Sequence, residues 1–110
     1  MLPQVHRLPA VDFPFLNRRG IRLHTDYFDV RYVAHIDITR IGIVIPKSAD
    51  KRATKRNRMK RVLSEQIRHV LKQFDPHIDA VFVVRKPFVQ DATEINEAIV
   101  TLFHSITQSA

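Results

Sequence analysis

Eight basic side chains crowd one short stretch of this chain: Lys47, Lys51, Arg52, Lys55, Arg56, Arg58, Lys60 and Arg61. Only Asp50 opposes them, so the segment carries a net +7, which equals the formal net charge of the whole 110-residue chain. The rest of the sequence is therefore close to neutral. Such a concentration of ammonium and guanidinium groups makes and breaks no bonds; it neutralises phosphates, and it marks a surface for a polyanion. Nucleic acid fits better than an anionic membrane, because the segment lacks the interleaved Trp, Phe and Leu of an interfacial helix.

Other chemistries have little to work with. The eleven acids are scattered and repeat at no metal-binding interval. The six histidines, at 6, 24, 35, 69, 77 and 104, form neither HxH nor HExxH. There is no Cys, hence no disulfide framework or thiolate metal site. A glycine-rich phosphate loop and the aromatic pattern of an RRM are absent as well. No catalytic centre and no cofactor are expected on the protein itself.

The elements that position the basic stretch follow from periodicity. A length of 110 residues with 45% hydrophobic content predicts one domain, 1–110, with a single core. A Pro-punctuated arm opens the chain, and a short helix over about Val11–Arg19 follows, with Pro14 in its first turn and Gly20 at its C-cap. Residues 21–35 alternate as strand, with Phe28, Val30 and Tyr32 on one face and Asp29, Arg31 and Val33 on the other. Arg40 to Lys47 is a second strand, apolar on both faces and therefore expected at the centre of a sheet. Met59, Val62, Leu63, Gln66, Ile67, Val70, Leu71 and Phe74 set the buried stripe of a long helix that Asp75-Pro76 stops. Residues 80–84 form a further strand. A last helix begins at Asp91-Ala92-Thr93-Glu94, an acidic variant of the capping box, and buries Ile95, Ala98, Ile99, Leu102, Phe103 and Ile106. The order predicts an α+β domain, a mixed sheet with helices packed on it. The first twenty residues carry Arg7, Arg18 and Arg19 and no long apolar run, unlike a signal peptide. No apolar stretch is long enough to span a membrane, and a cytoplasmic protein is expected.

On the long helix, Asn57, Arg61, Ser64 and Arg68 are expected within about 60° of one another, opposite the apolar stripe, with Lys60 and Lys72 flanking. A solvated face is the plain alternative for such a ridge. Two features favour a partner. No acid lies between Lys51 and Arg61 to form i, i+4 pairs. Asn57, a poor helix former between two arginines, can pair with a base edge or a sugar hydroxyl. The helix N-terminus adds free amides and the positive end of its dipole.

Arg56-Asn57-Arg58-Met59-Lys60-Arg61 resembles the RNRxKR signature of the bacterial ribonuclease P protein family, whose C5-like subunit assists the trimming of precursor tRNA 5′ ends. The context is similar over nearly the whole chain. Leu2-Pro3 with Arg7-Leu8 resembles the LPxxxRL opening, and Asp12-Phe13 followed by Gly20 resembles the DF…G first helix. Arg40-Ile41-Gly42-Ile43 with Lys47 is similar to RLGL…K. Glu65 and Arg68 match part of RESFR, and Val83-Val84-Arg85-Lys86 resembles the end of VVxARK.

The resemblance implies an αβββαβα fold with a left-handed crossover around the signature helix. It implies an accessory subunit of a ribonucleoprotein endoribonuclease, in which the RNA subunit cleaves with Mg²⁺ and the protein holds no active site. The implied partners are ribonuclease P RNA and precursor tRNA, with the protein a monomer in the holoenzyme. Carried over, Lys47, Lys51, Arg52, Lys55, Arg56, Asn57 and Arg58 belong to RNA-subunit contact. Phe13, Asn17, Arg31, Lys60, Arg61, Ser64 and Arg68 belong to the site for the precursor's single-stranded 5′ leader, with Lys60 and Arg61 on the cleft side of the helix. Asn17 and Arg31 stand where the family often has aromatics, and Ser64 where it often has Arg. Phe28 and Tyr32 are read as core. A stand-alone basic RNA-binding or RNA-chaperone module is the alternative function.

Overall fold

The computed structural model describes residues 2–35, 37–87 and 92–108. After two short 3-10 turns, Gln4–His6 and Ala10–Asp12, the chain forms α1 (Phe13–Arg19), β1 (Ile21–His24), β2 (Phe28–Ala34), β3 (Arg40–Val44), α2 (Ala53–Gln73), β4 (Ile78–Val84) and α3 (Ala92–Gln108). The stretch 21–35 holds two strands joined at Thr25, whose hydroxyl oxygen accepts the Phe28 amide in the turn. The αβββαβα order is the one expected. Asp91, expected to start α3, lies outside the described residues.

The four strands are ordered β1-β2-β4-β3. β1 pairs antiparallel with β2, β2 antiparallel with β4, and β3 parallel with β4, so α2 is the crossover between two parallel neighbours. One expectation fails here. β3 is an edge strand, and the centre belongs to β4, which is buried along nearly its whole length. β3 reads as two-sided because both its faces are covered, and its outer edge is covered too. Ile41 and Ile43 pack under the helices, Gly42 lies under Phe13, and the N-terminal arm adds a bridge from Arg7 to Ile41, with the Leu8 amide donating to the Ile41 carbonyl at 3.0 Å.

Each sheet face has its own cover. Phe28, Val30, Tyr32, Ile78, Ala80, Phe82 and Val84 join the stripes of α2 and α3 in the main core. The expected α3 stripe is buried there, apart from half-buried Ala98. On the opposite face Val81 meets Leu8 and Leu16, with Phe13, Val33, Val44 and Val83 around them. α1 is thus held down by Leu16, and Gly20 closes it, its amide bonding to the Leu16 carbonyl at 2.8 Å. Gly20 has φ −71°, so its role is close approach: a Cβ there would lie 2.5 Å from the Leu16 oxygen.

Polar contacts pin the returning end of the crossover, where α2 runs into β4 beside the start of β3. Arg40 donates from Nε and Nη2 to the Asp79 carboxylate at 2.8 and 2.7 Å, a bidentate pair across β3 and β4. Fully buried Thr39 donates its amide and its hydroxyl to Asp75, just past the end of α2, and accepts the Ile78 amide at the start of β4.

Candidate nucleic-acid interface

The N-terminus of α2 is where the basic segment gathers. Arg52 takes the N-cap position in extended conformation, and no side chain caps the helix. The first-turn amides therefore face outward among exposed Lys47, Lys51 and Arg52 and half-buried Lys55. The segment's one acid is already engaged. Asp50 accepts the Arg52 guanidinium and, at 2.9 Å, the Arg52 amide, and these bonds hold its carboxyl below its ordinary pKa. Arg56 folds back: its Nη1 donates to the Asp50 and Lys51 carbonyls at 3.0 and 2.9 Å. The signature's first arginine thus braces the basic loop, while Asn57 and Arg58 are exposed beside it.

Around α2 the expected grouping divides. Ser64 is 6% exposed, so it does not sit on the outer ridge with Asn57, Arg61 and Arg68. The buried stripe is broader than the apolar residues alone indicate, and it reaches a small hydroxyl without penalty. Ser64 instead lines a cleft of about 240 Å³ with Phe13, Lys60, Gly42, Arg7 and Leu8. Gly42 makes this cleft possible, because a Cβ there would stand 2.4 Å from the Phe13 ring. Arg61 lies about 100° around the helix from Lys60 and is exposed, and it is not among the residues lining this cleft. Arg68 also lies elsewhere, 3.5 Å from Glu65 and lining the groove between α2 and α3.

Asn17 and Arg31 do meet, through a hydrogen bond from the Arg31 guanidinium to the Asn17 carbonyl oxygen. They border the open part of the α1-bearing sheet face. There Asp29 accepts from His24 and lies 3.8 Å from Arg85. Phe28 and Tyr32 are core, as expected. Arg7 and Gly42 line the cleft although neither is among the residues that the sequence assigns to it. The glycine between two isoleucines in β3 was the available signal, since a strand interior loses stability with Gly unless something approaches closely. Among the described residues no group of three or more His, Asp or Glu could hold a metal ion, and no helix is long and apolar enough to cross a membrane.

A small α+β domain with an uncapped, positively charged helix end beside an aromatic-floored cleft is the form of an RNA-binding subunit. The family model described as Ribonuclease P matches residues 2–107, and the chain belongs to that family. It is 33% identical over 90 residues to the ribonuclease P protein component of Synechococcus elongatus, covering 76% of this chain and 74% of that protein. It is 36% identical over 86 residues to that of Nitrosomonas europaea, covering 77% of this chain and 66% of that protein. The Thermotoga maritima RNase P protein superposes with a TM-score of 0.65 at 26% identity, over 93% of this chain and 88% of that one. A Staphylococcus aureus RNase P protein gives a TM-score of 0.76 at 21% identity, over 91% and 94% of the two chains, a likeness of fold. The chain is a ribonuclease P protein component by family, and RNA binding in tRNA 5′ maturation is its place.

Proposed function

We propose that the chain works as the accessory subunit of a cytoplasmic ribonucleoprotein, with successive turns in the N-terminal half of α2 serving two RNAs. The N-terminal end of α2 and the loop from Lys47 to Arg52 contact the catalytic RNA. The cleft under Phe13 holds the single-stranded leader of the precursor tRNA. Cleavage belongs to the RNA subunit and its Mg²⁺, and the protein enters the holoenzyme as a monomer.

The observation that carries this reading is the position of Lys60. It lies one turn of helix beyond Arg56, yet it lines the Phe13 cleft while Arg56 is turned onto the basic loop. Phe13 would stack on a base without regard to its identity, and Lys60 would meet the backbone beside it. Arg56 keeps the Asp50–Lys51 backbone in place for phosphate contact.

Separate effects are therefore expected from two substitutions on one helix. Arg56→Ala weakens assembly with the RNA subunit, and Lys60→Ala weakens precursor binding by the assembled holoenzyme. Each loss is about 1–2 kcal/mol, the scale of a partly solvated charge-assisted contact. Both affinities are measured for both variants at one salt concentration. Equal losses in both assays would mean a single unspecific electrostatic surface and would end the two-site reading.

A further inference from the structure

The far side of α1 carries a second aromatic that the cleft does not use. At about 100° per residue, Phe15 and Arg18 fall on the side of α1 away from Phe13 and Leu16, with Arg19 next to Phe15, and Val11 precedes them in the 3-10 turn. Val11 is 82% and Phe15 49% exposed, and both arginines are exposed. A half-exposed phenylalanine between arginines has the composition of a single-strand stacking platform, where the ring takes a base and the guanidinium groups take the backbone.

A second observation joins this face to the cleft. Arg22 on β1 stands directly opposite Arg31 on β2 in the antiparallel register. Like charges in that position repel, and an anion placed between them would relieve the repulsion. Asp29, the acid on the neighbouring row, is engaged by His24 and Arg85. Among the described residues Arg18, Arg19 and Arg22 have no ion-pair partner. Arg31 itself touches the backbone of α1 at Asn17. The two arginines therefore sit at the rim of the open sheet face, where a strand leaving the cleft would turn over α1.

We propose that the precursor's leader continues past the cleft, with a phosphate held between Arg22 and Arg31 and an upstream base stacked on Phe15 beside Arg18. This rests on the leader occupying the Phe13 cleft. The outer face of α1 then contributes only to leaders long enough to reach it, and charge complementarity with the arginines selects RNA as its occupant.

The test uses the reconstituted holoenzyme and precursor tRNAs whose unstructured leaders are lengthened stepwise from none. Phe15→Leu keeps apolar bulk and removes the ring, and Arg22→Gln removes one charge of the pair. Both variants are expected to match the parent on leaderless and short-leader precursors and to bind the longest leaders about tenfold more weakly. Parent-like affinity at every length overturns the proposal, as does an equal loss at every length, which would be a packing effect. A Phe15→Leu loss seen only on phosphatidylglycerol vesicles overturns it in favour of a membrane contact. Lys60→Ala in the same series separates the two readings. If it is silent on every leader the cleft reading fails, whatever Phe15→Leu does; if it weakens short leaders while Phe15→Leu is silent throughout, only the outer contact fails.

Discussion

Raising monovalent salt from about 50 to about 200 mM is expected to weaken binding to the RNA subunit by about two to three orders of magnitude. The segment from Lys47 to Arg61 holds eight cations and one acid, and Asp50 is already committed to Arg52. If roughly five of these cations neutralise phosphates, counterion release gives a log-log slope of about −4. The uncapped end of α2 adds attraction that salt also screens. An interface made chiefly of packing would change little over the same range. A titration at several salt concentrations gives the slope directly, and a slope near zero would remove the basic segment from the interface.

Asp75→Ala is expected to destabilise the fold by about 3 kcal/mol, lowering the melting temperature by roughly 10–20 °C. Asp75 accepts the Thr39 hydroxyl, the Thr39 amide at 3.1 Å and the His77 amide at 2.8 Å. Thr39 is fully buried, so removing the carboxylate leaves its two donors without a partner inside the protein. The same carboxylate joins the end of α2 to the start of β3 and, through Thr39, to β4. Burial by itself would push the Asp75 carboxyl up, but the bonds from Thr39 and His77 outweigh it and hold it below its ordinary value. The sign follows from that depression. The contribution is complete above the unfolded carboxylate pKa, near about 4, and is lost as the pH falls through the lower folded value. Urea unfolding at neutral pH and in acid checks both parts. The variant should show a flatter acid decline than the parent, and Asp75→Asn, which keeps an acceptor oxygen, should recover part of the stability. Asp75 lies a 21-residue helix away from the basic loop, so RNA affinity should persist wherever the variant is folded. A loss below about 0.5 kcal/mol would contradict the assigned role.

Most of this architecture is legible in the residues, for definite reasons. The α2 and α3 stripes obey helical spacing because one face of each meets the sheet, and Phe28, Val30 and Tyr32 alternate because only one face of β2 meets the helices. β3 misleads for a physical reason: an edge strand with helices on one side, Phe13 on the other and the N-terminal arm along its edge is as apolar as a central one. The basic ridge is visible as charge, but its division is not. Ser64 is polar by type and buried by position, and Arg56 turns inward to two carbonyls that no sequence spacing announces. Arg61 and Arg68 belong to the signature context yet lie outside the Phe13 cleft, because the cleft is bounded by α1 and β3, which only the folded chain brings beside Lys60. The pairing of Arg22 with Arg31 depends on where β1 turns into β2, and the alternation alone does not locate that turn.

The proposed role, RNA contacts and no catalytic groups in a ribonucleoprotein nuclease, is open to a direct test. That test is 5′ maturation of one precursor tRNA at low Mg²⁺, measured with a bacterial ribonuclease P RNA alone, with the protein alone, and with the two together. Cleavage at the mature 5′ end should be weak with the RNA, absent with the protein and efficient with both. Robust Mg²⁺-dependent cleavage by the RNA-free protein, or a mixture no better than the RNA alone, would contradict it.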